Sequence, residues 1–163
     1  MIALNHLLVP HDFSETSEAA VRYALELARR FGSQVTFLHV GNSAQAALDT
    51  EFPIGLESAR EDAIRERLLK IVTPHEQVEF APHFVVRPGN PAAEIVRYAA
   101  EHNVDLIVMG THGRGLVGHA VMGSVAERVV RTAFCPVLTI RNADRIAMMS
   151  EEARITMRLD TPV

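Results

Sequence analysis

Short apolar runs and helical apolar stripes alternate along the chain. Leu7-Leu8-Val9 is a brief apolar run closed by Pro10, the pattern of a strand buried on both faces. Val21, Ala24, Leu25, Ala28 and Phe31 then recur at helical spacing, and Gly32 is a natural stop. Val35 to Val40 reads as a second strand. From Gly41 to Leu56 no period holds, and Pro53 and Gly55 mark a loop. Ala63, Ile64, Leu68, Ile71 and Val72 predict a second helix, with Arg60, Glu61, Arg65 and Glu66 on its exposed side; Phe84-Val85-Val86 is the core of a third strand. Pro88-Gly89-Asn90-Pro91 is a turn opening a third helix, with Asn90 as cap, Pro91 at the first helical position, and Ile95, Val96, Ala99 and Ala100 facing inward. Asp105 to Met109 predicts a fourth strand, Val125, Ala126, Val129, Val130 and Ala133 the inner face of a fourth helix, and Cys135 to Ile140 a fifth strand.

This order predicts an α/β fold: a parallel sheet with helices on both faces and right-handed crossovers. Ligands of such open sheets bind outside the carboxyl ends of the strands, where the winding direction reverses. The loops after the first and fourth strands are the candidates to meet there. Residues 1–141 complete the repeat, and residues 142–163 form an extension that covers the domain or a partner subunit. Within it Ile146, Met148 and Met149 suit a short helix, and Ile155, Met157 and Leu159 alternate with Arg154, Thr156 and Arg158 in strand fashion.

Composition narrows the function classes. With 163 residues, 48% hydrophobic and 22% charged, the chain has the make-up of one globular domain, large enough to need no disulfide or metal staple. Cys135 is the lone cysteine and enters a strand between Phe134 and Pro136, the setting of a buried structural thiol. A net charge of −4 has the wrong sign for a general nucleic-acid binder. No apolar run reaches the ~18 residues of a membrane span, and the start lacks a basic leader, so the expectation is a cytoplasmic protein. Lys70 is the only lysine, which removes any phosphate loop that needs a lysine beside its glycines.

The segment from Met109 to Ser124 is the most informative. Five glycines (Gly110, Gly113, Gly115, Gly118 and Gly123) lie between a strand end and a helix start. Backbone N–H groups at such a turn, with the positive end of the helix, suit a phosphate, and His112, Arg114 and Ser124 add side-chain donors. The alternative is that the glycines only allow a tight connection, with Ser124 and Glu127 forming a Ser-x-x-Glu capping box. On chemistry alone both stand.

Gly110-x2-Gly113-x9-Gly123-Ser124 resembles the nucleotide-binding signature of the universal stress protein family, in its ATP-binding branch. The resemblance extends to Val9-Pro10-His11-Asp12, Leu38-His39-Val40, Gly89-Asn90-Pro91-Ala92, Gly123 to Arg128 and Cys135-Pro136-Val137. It implies a five-stranded parallel sheet of order 3-2-1-4-5 and a homodimer through the fifth strand. It also implies an adenine nucleotide as ligand: ATP, or AMP, ADP or a cyclic nucleotide, with Mg or Mn arriving on the phosphates. Carried over, Asp12 contacts the ribose and Val40 the adenine, and Met109 lines the pocket. Gly110 and Gly113 let ribose and phosphates approach, while Gly123, Ser124 and Val125 hold the phosphate chain. Ala126 departs from the pattern, since some ATP-binding members carry a hydroxyl there, and this keeps the shorter nucleotides in view.

Other readings weigh against these. Asp12 with Glu15 could cap the first helix. Gly113-x-Gly115-x2-Gly118 matches a dinucleotide fingerprint but lacks the acidic residue about 20 positions on. His11, His39 and His112 all fall near strand carboxyl ends, yet no thiolate cluster or short histidine spacing accompanies them, so polar histidines around a cleft are favoured over a metal site. Ser124 lacks a nucleophile elbow, because Met122 takes the first glycine position. The expectation is a nucleotide-binding regulatory module of a stress response. A slow ATP hydrolase assisted by His112 or Arg114 and a scaffold without nucleotide are the alternatives.

Overall fold

The computed structural model of the protein describes residues 3–41, 57–111 and 122–141. Five strands are described: β1 (His6–Pro10), β2 (Gln34–Gly41), β3 (His83–Pro88), β4 (Leu106–Gly110) and β5 (Val137–Ile140). They form one parallel sheet in the expected order, β3-β2-β1-β4-β5. Leu7 lies beside Val35 and Leu106, Leu8 beside Ile107, and Gly110 beside Ile140.

Successive side chains of a strand point to opposite faces, so a sheet covered on both sides is apolar throughout. Leu7, Val9, Val35, Phe37 and Val108 pack with helix α1 (Glu15–Phe31) on one face. Leu8, Leu38, Ile107 and Met109 pack with α4 (Pro91–Glu101) and α5 (Ser124–Thr132) on the other. The stop at Gly32 is confirmed by its left-handed backbone (φ 69°). Asn90 caps α4 by accepting from the Ala93 amide at 3.1 Å, with Pro91 opening the helix.

Some apolar periods overreach their helices. Val130, expected inward, is 46% exposed, and Phe31, the last residue of the α1 period, is 52% exposed. The second predicted helix, α2 (Glu57–Leu69), stops before Ile71 and Val72, which are buried in the turn that follows. That turn leads to α3 (Pro74–Phe80), a helix with no buried residue and so no apolar stripe to announce it. Polar ties hold α3 to α1: Arg22 pairs with Glu76 at 2.7 Å and Arg29 with Glu79 at 2.7 Å. Arg22 also donates to the Ile71 carbonyl. No described helix is long and apolar enough to cross a membrane.

Candidate functional site

The chain leaves β1 through α1 on one face of the sheet and leaves β4 toward α5 on the other. The winding therefore reverses between two adjacent strands, and their carboxyl ends open a cleft rather than being roofed by one crossover.

The wall after β1 is built from Pro10 to Thr16. Pro10 is buried at the end of the strand. His11 is also buried, its amide donating to the Leu38 carbonyl at 2.9 Å. Its Nδ1 accepts from the Phe13 amide at 3.2 Å, which leaves Nε2 to carry the proton, 3.3 Å from Glu18 Oε1. Burial pushes the Glu18 carboxyl above its ordinary range, and Arg22 draws it partly back. Phe13 takes a left-handed backbone (φ 63°), uncommon for a bulky residue. Its ring lies 5.1 Å from that of His11 and 4.9 Å from that of His39, with the Arg67 guanidinium 4.0 Å above it. His39 Nδ1 donates to the His11 carbonyl at 2.8 Å. His11 and His39 thus lie together, joined by this hydrogen bond and by the Phe13 ring between them. His112 lies outside the described residues, among which no group of three metal-ligating side chains occurs.

Asp12 is not the helix cap. Ser14 holds that place, exchanging hydrogen bonds with Ser17 in a capping box, and Glu15 is the first helical residue. Asp12 instead braces the cap: its Oδ1 accepts from the Ser14 amide at 3.1 Å and from the Ser14 hydroxyl at 2.5 Å. Asp12 is half-buried, and its Oδ2 has no hydrogen-bond partner among the described residues.

The opposite wall starts at Met109, Gly110 and Thr111. Thr111 is buried, and both its amide (2.9 Å) and its hydroxyl (3.2 Å) donate to the Ile140 carbonyl. Its own carbonyl accepts from the Gly123 amide at 2.6 Å, so the glycine loop departs and returns at one point. The expected phosphate-side residues His112, Gly113 and Arg114 fall within that loop, outside the described residues. Gly123 is the N-cap of α5 and Ser124 its exposed first residue, with no side-chain cap. The proposed Ser124–Glu127 capping box is therefore absent; Glu127 pairs with Arg131 at 2.7 Å. An uncapped helix start offers amides and a partial positive charge. Since Gly123 spends its amide on Thr111, that offer comes from Ser124 and the residues after it.

Val40, Met109, Val125 and Met122 belong to one apolar cluster, with Met109 buried and the other three half-buried. Cys135 is half-buried, and burial raises its thiol pKa, which suits a structural rather than reactive role.

Thr111, Phe13 and Thr16 carry weight that the sequence reading did not assign. The Ser14 and Thr16 hydroxyls lie 3.2 Å apart, and Thr16 closely approaches Gly110. A continuous path of contacts thus joins Asp12, Ser14, Thr16, Gly110, Thr111 and Gly123 across the cleft floor.

Residues 4–141 match the family model described as the universal stress protein family. Universal stress protein MJ0531 of Methanocaldococcus jannaschii is 34% identical over 138 residues, which are 83% of this chain and 81% of the relative. Among solved structures, the protein MJ0577 of the same organism is similar with a TM-score of 0.72 at 28% identity, over 86% of this chain and 98% of that one. A universal stress protein from Archaeoglobus fulgidus, described in complex with dAMP, has a TM-score of 0.56 at 25% identity, over 86% of this chain and 99% of the other.

Proposed function

This chain belongs to the universal stress protein family, and on that premise we propose that it is a regulatory protein that binds an adenine nucleotide between the ends of β1 and β4. The observation that carries the proposal is the contact path across the cleft floor, which ties a carboxylate oxygen at Asp12 to the uncapped start of α5. A sugar hydroxyl and a phosphate are the two groups that such ends recognise. The dAMP complex of the Archaeoglobus fulgidus relative supports an adenine nucleotide in particular.

In this reading Asp12 accepts from the sugar, and Val40 and Met109 provide the apolar side for the base. Ser124 and Val125 meet the phosphates with amides, helped by the Ser124 hydroxyl. His112 and Arg114 would donate to the phosphates and Gly113 would let them approach, while Pro10 and His11 flank Asp12. ATP is the primary ligand, with AMP, ADP and cyclic nucleotide sharing the same adenosine contacts; Mg or Mn would reach the site on the phosphates. Binding would change the surface seen by partners in the cytoplasm.

We further propose that the protein forms a homodimer through β5. That strand is an edge of the sheet, the connection before it exposes Phe134 at 88%, and Val130 on α5 is 46% exposed. Titration calorimetry of ATP, ADP, AMP and cyclic AMP, with and without magnesium, tests the nucleotide reading. Heats that saturate and fall at least tenfold in affinity on Asp12→Ala support it. Absence of binding at millimolar ligand overturns it.

A further inference from the structure

The two carboxylate oxygens of Asp12 are not equivalent. Oδ1 accepts two hydrogen bonds, from the amide and the hydroxyl of Ser14, at 3.1 and 2.5 Å. Those donors occupy the two lone pairs an sp² oxygen presents. The same hydroxyl serves the capping box of α1, so the orientation of the carboxylate is set by a 17-residue helix rather than by the ligand. Oδ2 is the one oxygen left for a ligand. A carboxylate with both oxygens open can take the two vicinal hydroxyls of a ribose, one on each. Two vicinal hydroxyls reach a single oxygen from nearly one direction, whereas its lone pairs diverge, so only one of them makes a well-aligned bond.

Building on the nucleotide reading above, we infer that Asp12 reads a single hydroxyl of the sugar, through Oδ2, and that the site accepts one of the two monodeoxy forms of its nucleotide as well as it accepts the ribonucleotide. The residue that enforces this is Ser14, which occupies the other oxygen.

Calorimetry of AMP, 2′-deoxy-AMP and 3′-deoxy-AMP on the full chain tests the inference, with the same three titrations on Asp12→Ala. The expected result is that one deoxy analogue binds within about threefold of AMP, while the other loses about tenfold or more, the scale of a lost hydrogen bond to a charged group. In Asp12→Ala the three ligands should bind within about threefold of each other. Because that readout is a ratio, a general loss of affinity in the variant leaves it intact. Equal losses for both analogues would show that two hydroxyls are read, and no loss for either would show that Asp12 does not contact the sugar. Either result overturns the inference while leaving nucleotide binding in place. Failure of AMP and of ATP alike to bind would instead count against the nucleotide reading on which the inference rests, and would overturn both.

Discussion

Gly110 and Thr16 are in such close approach that a β-carbon on Gly110 would stand 2.7 Å from both the carbonyl carbon and the hydroxyl oxygen of Thr16. Backbone cannot yield as a flexible side-chain tip can, so the first turn of α1 sits against the end of β4 only because position 110 has no side chain. A glycine that resembles a ligand-approach residue thus has a requirement within the fold itself. Gly110→Ala should cost about 1–3 kcal/mol by overpacking. Urea denaturation without nucleotide measures it, and unchanged stability would mean that the glycine serves ligand approach alone.

Asn90 is the side-chain cap of α4, and the helix has little else at its amino end beyond Pro91. Asn90→Ala should destabilise the protein by about 1 kcal/mol, and Asn90→Asp by much less. The same denaturation experiment compares them. Equal effects would show that the Ala93 amide finds another acceptor.

The contrast between these two positions shows what the chain discloses before folding. Asn90-Pro91 is a local signal, since a cap bonds an amide three residues away, and the sequence reading places it correctly. The strand order came instead from the family resemblance carried by Gly110-x2-Gly113-x9-Gly123-Ser124 and Val9-Pro10-His11-Asp12, and the sheet has that order. Gly110–Thr16 is a contact between elements that sequence proximity does not reveal. At the start of α1, Asp12-x2-Glu15 and Ser14-x2-Ser17 are overlapping cap patterns; the second forms, so the cap alternative for Asp12 falls away and Asp12 supports the cap from outside. At α5, Ser124-x2-Glu127 matched a capping box, but Thr111 holds Gly123 as the N-cap and the helix begins one residue earlier than the pattern requires. Helix α3 carries Thr73-Pro74-x-Glu76, a cap signature visible in the sequence, yet with no buried face it left no apolar period.

Glu76 links α3 to α1, and its titration should be visible in stability. Burial by itself would raise its pKa, but hydrogen bonds from Thr73 and Arg22 hold it below the ordinary glutamate value of 4.5. A carboxyl whose folded pKa is lowered stabilises the fold above its unfolded pKa and loses that contribution as pH falls through the folded value. Glu76→Gln should therefore be less stable than the wild type at neutral pH, with the two curves converging as pH falls through and below the ordinary glutamate range. Parallel curves across that window would show that the pair with Arg22 contributes nothing.

Phe134 is 88% exposed at the entry to the edge strand β5. If the proposed dimer forms through β5, Phe134→Glu should convert it to a monomer in light scattering, because a charge would then be buried at that interface without a partner. An unchanged mass for the variant, or a monomeric wild type, would remove the dimer from the account.

The most direct test is an amide NMR titration of the isotopically labelled protein with AMP and then ATP. The account predicts that the first amides to shift are those of Asp12, Val40, Ser124 and Val125, at the carboxyl ends of β1 and β2 and the start of α5. The amides of His6 and Asp105, at the opposite end of the sheet, should stay in place. Shifts confined to that opposite end, or no shifts at saturating nucleotide, would contradict it.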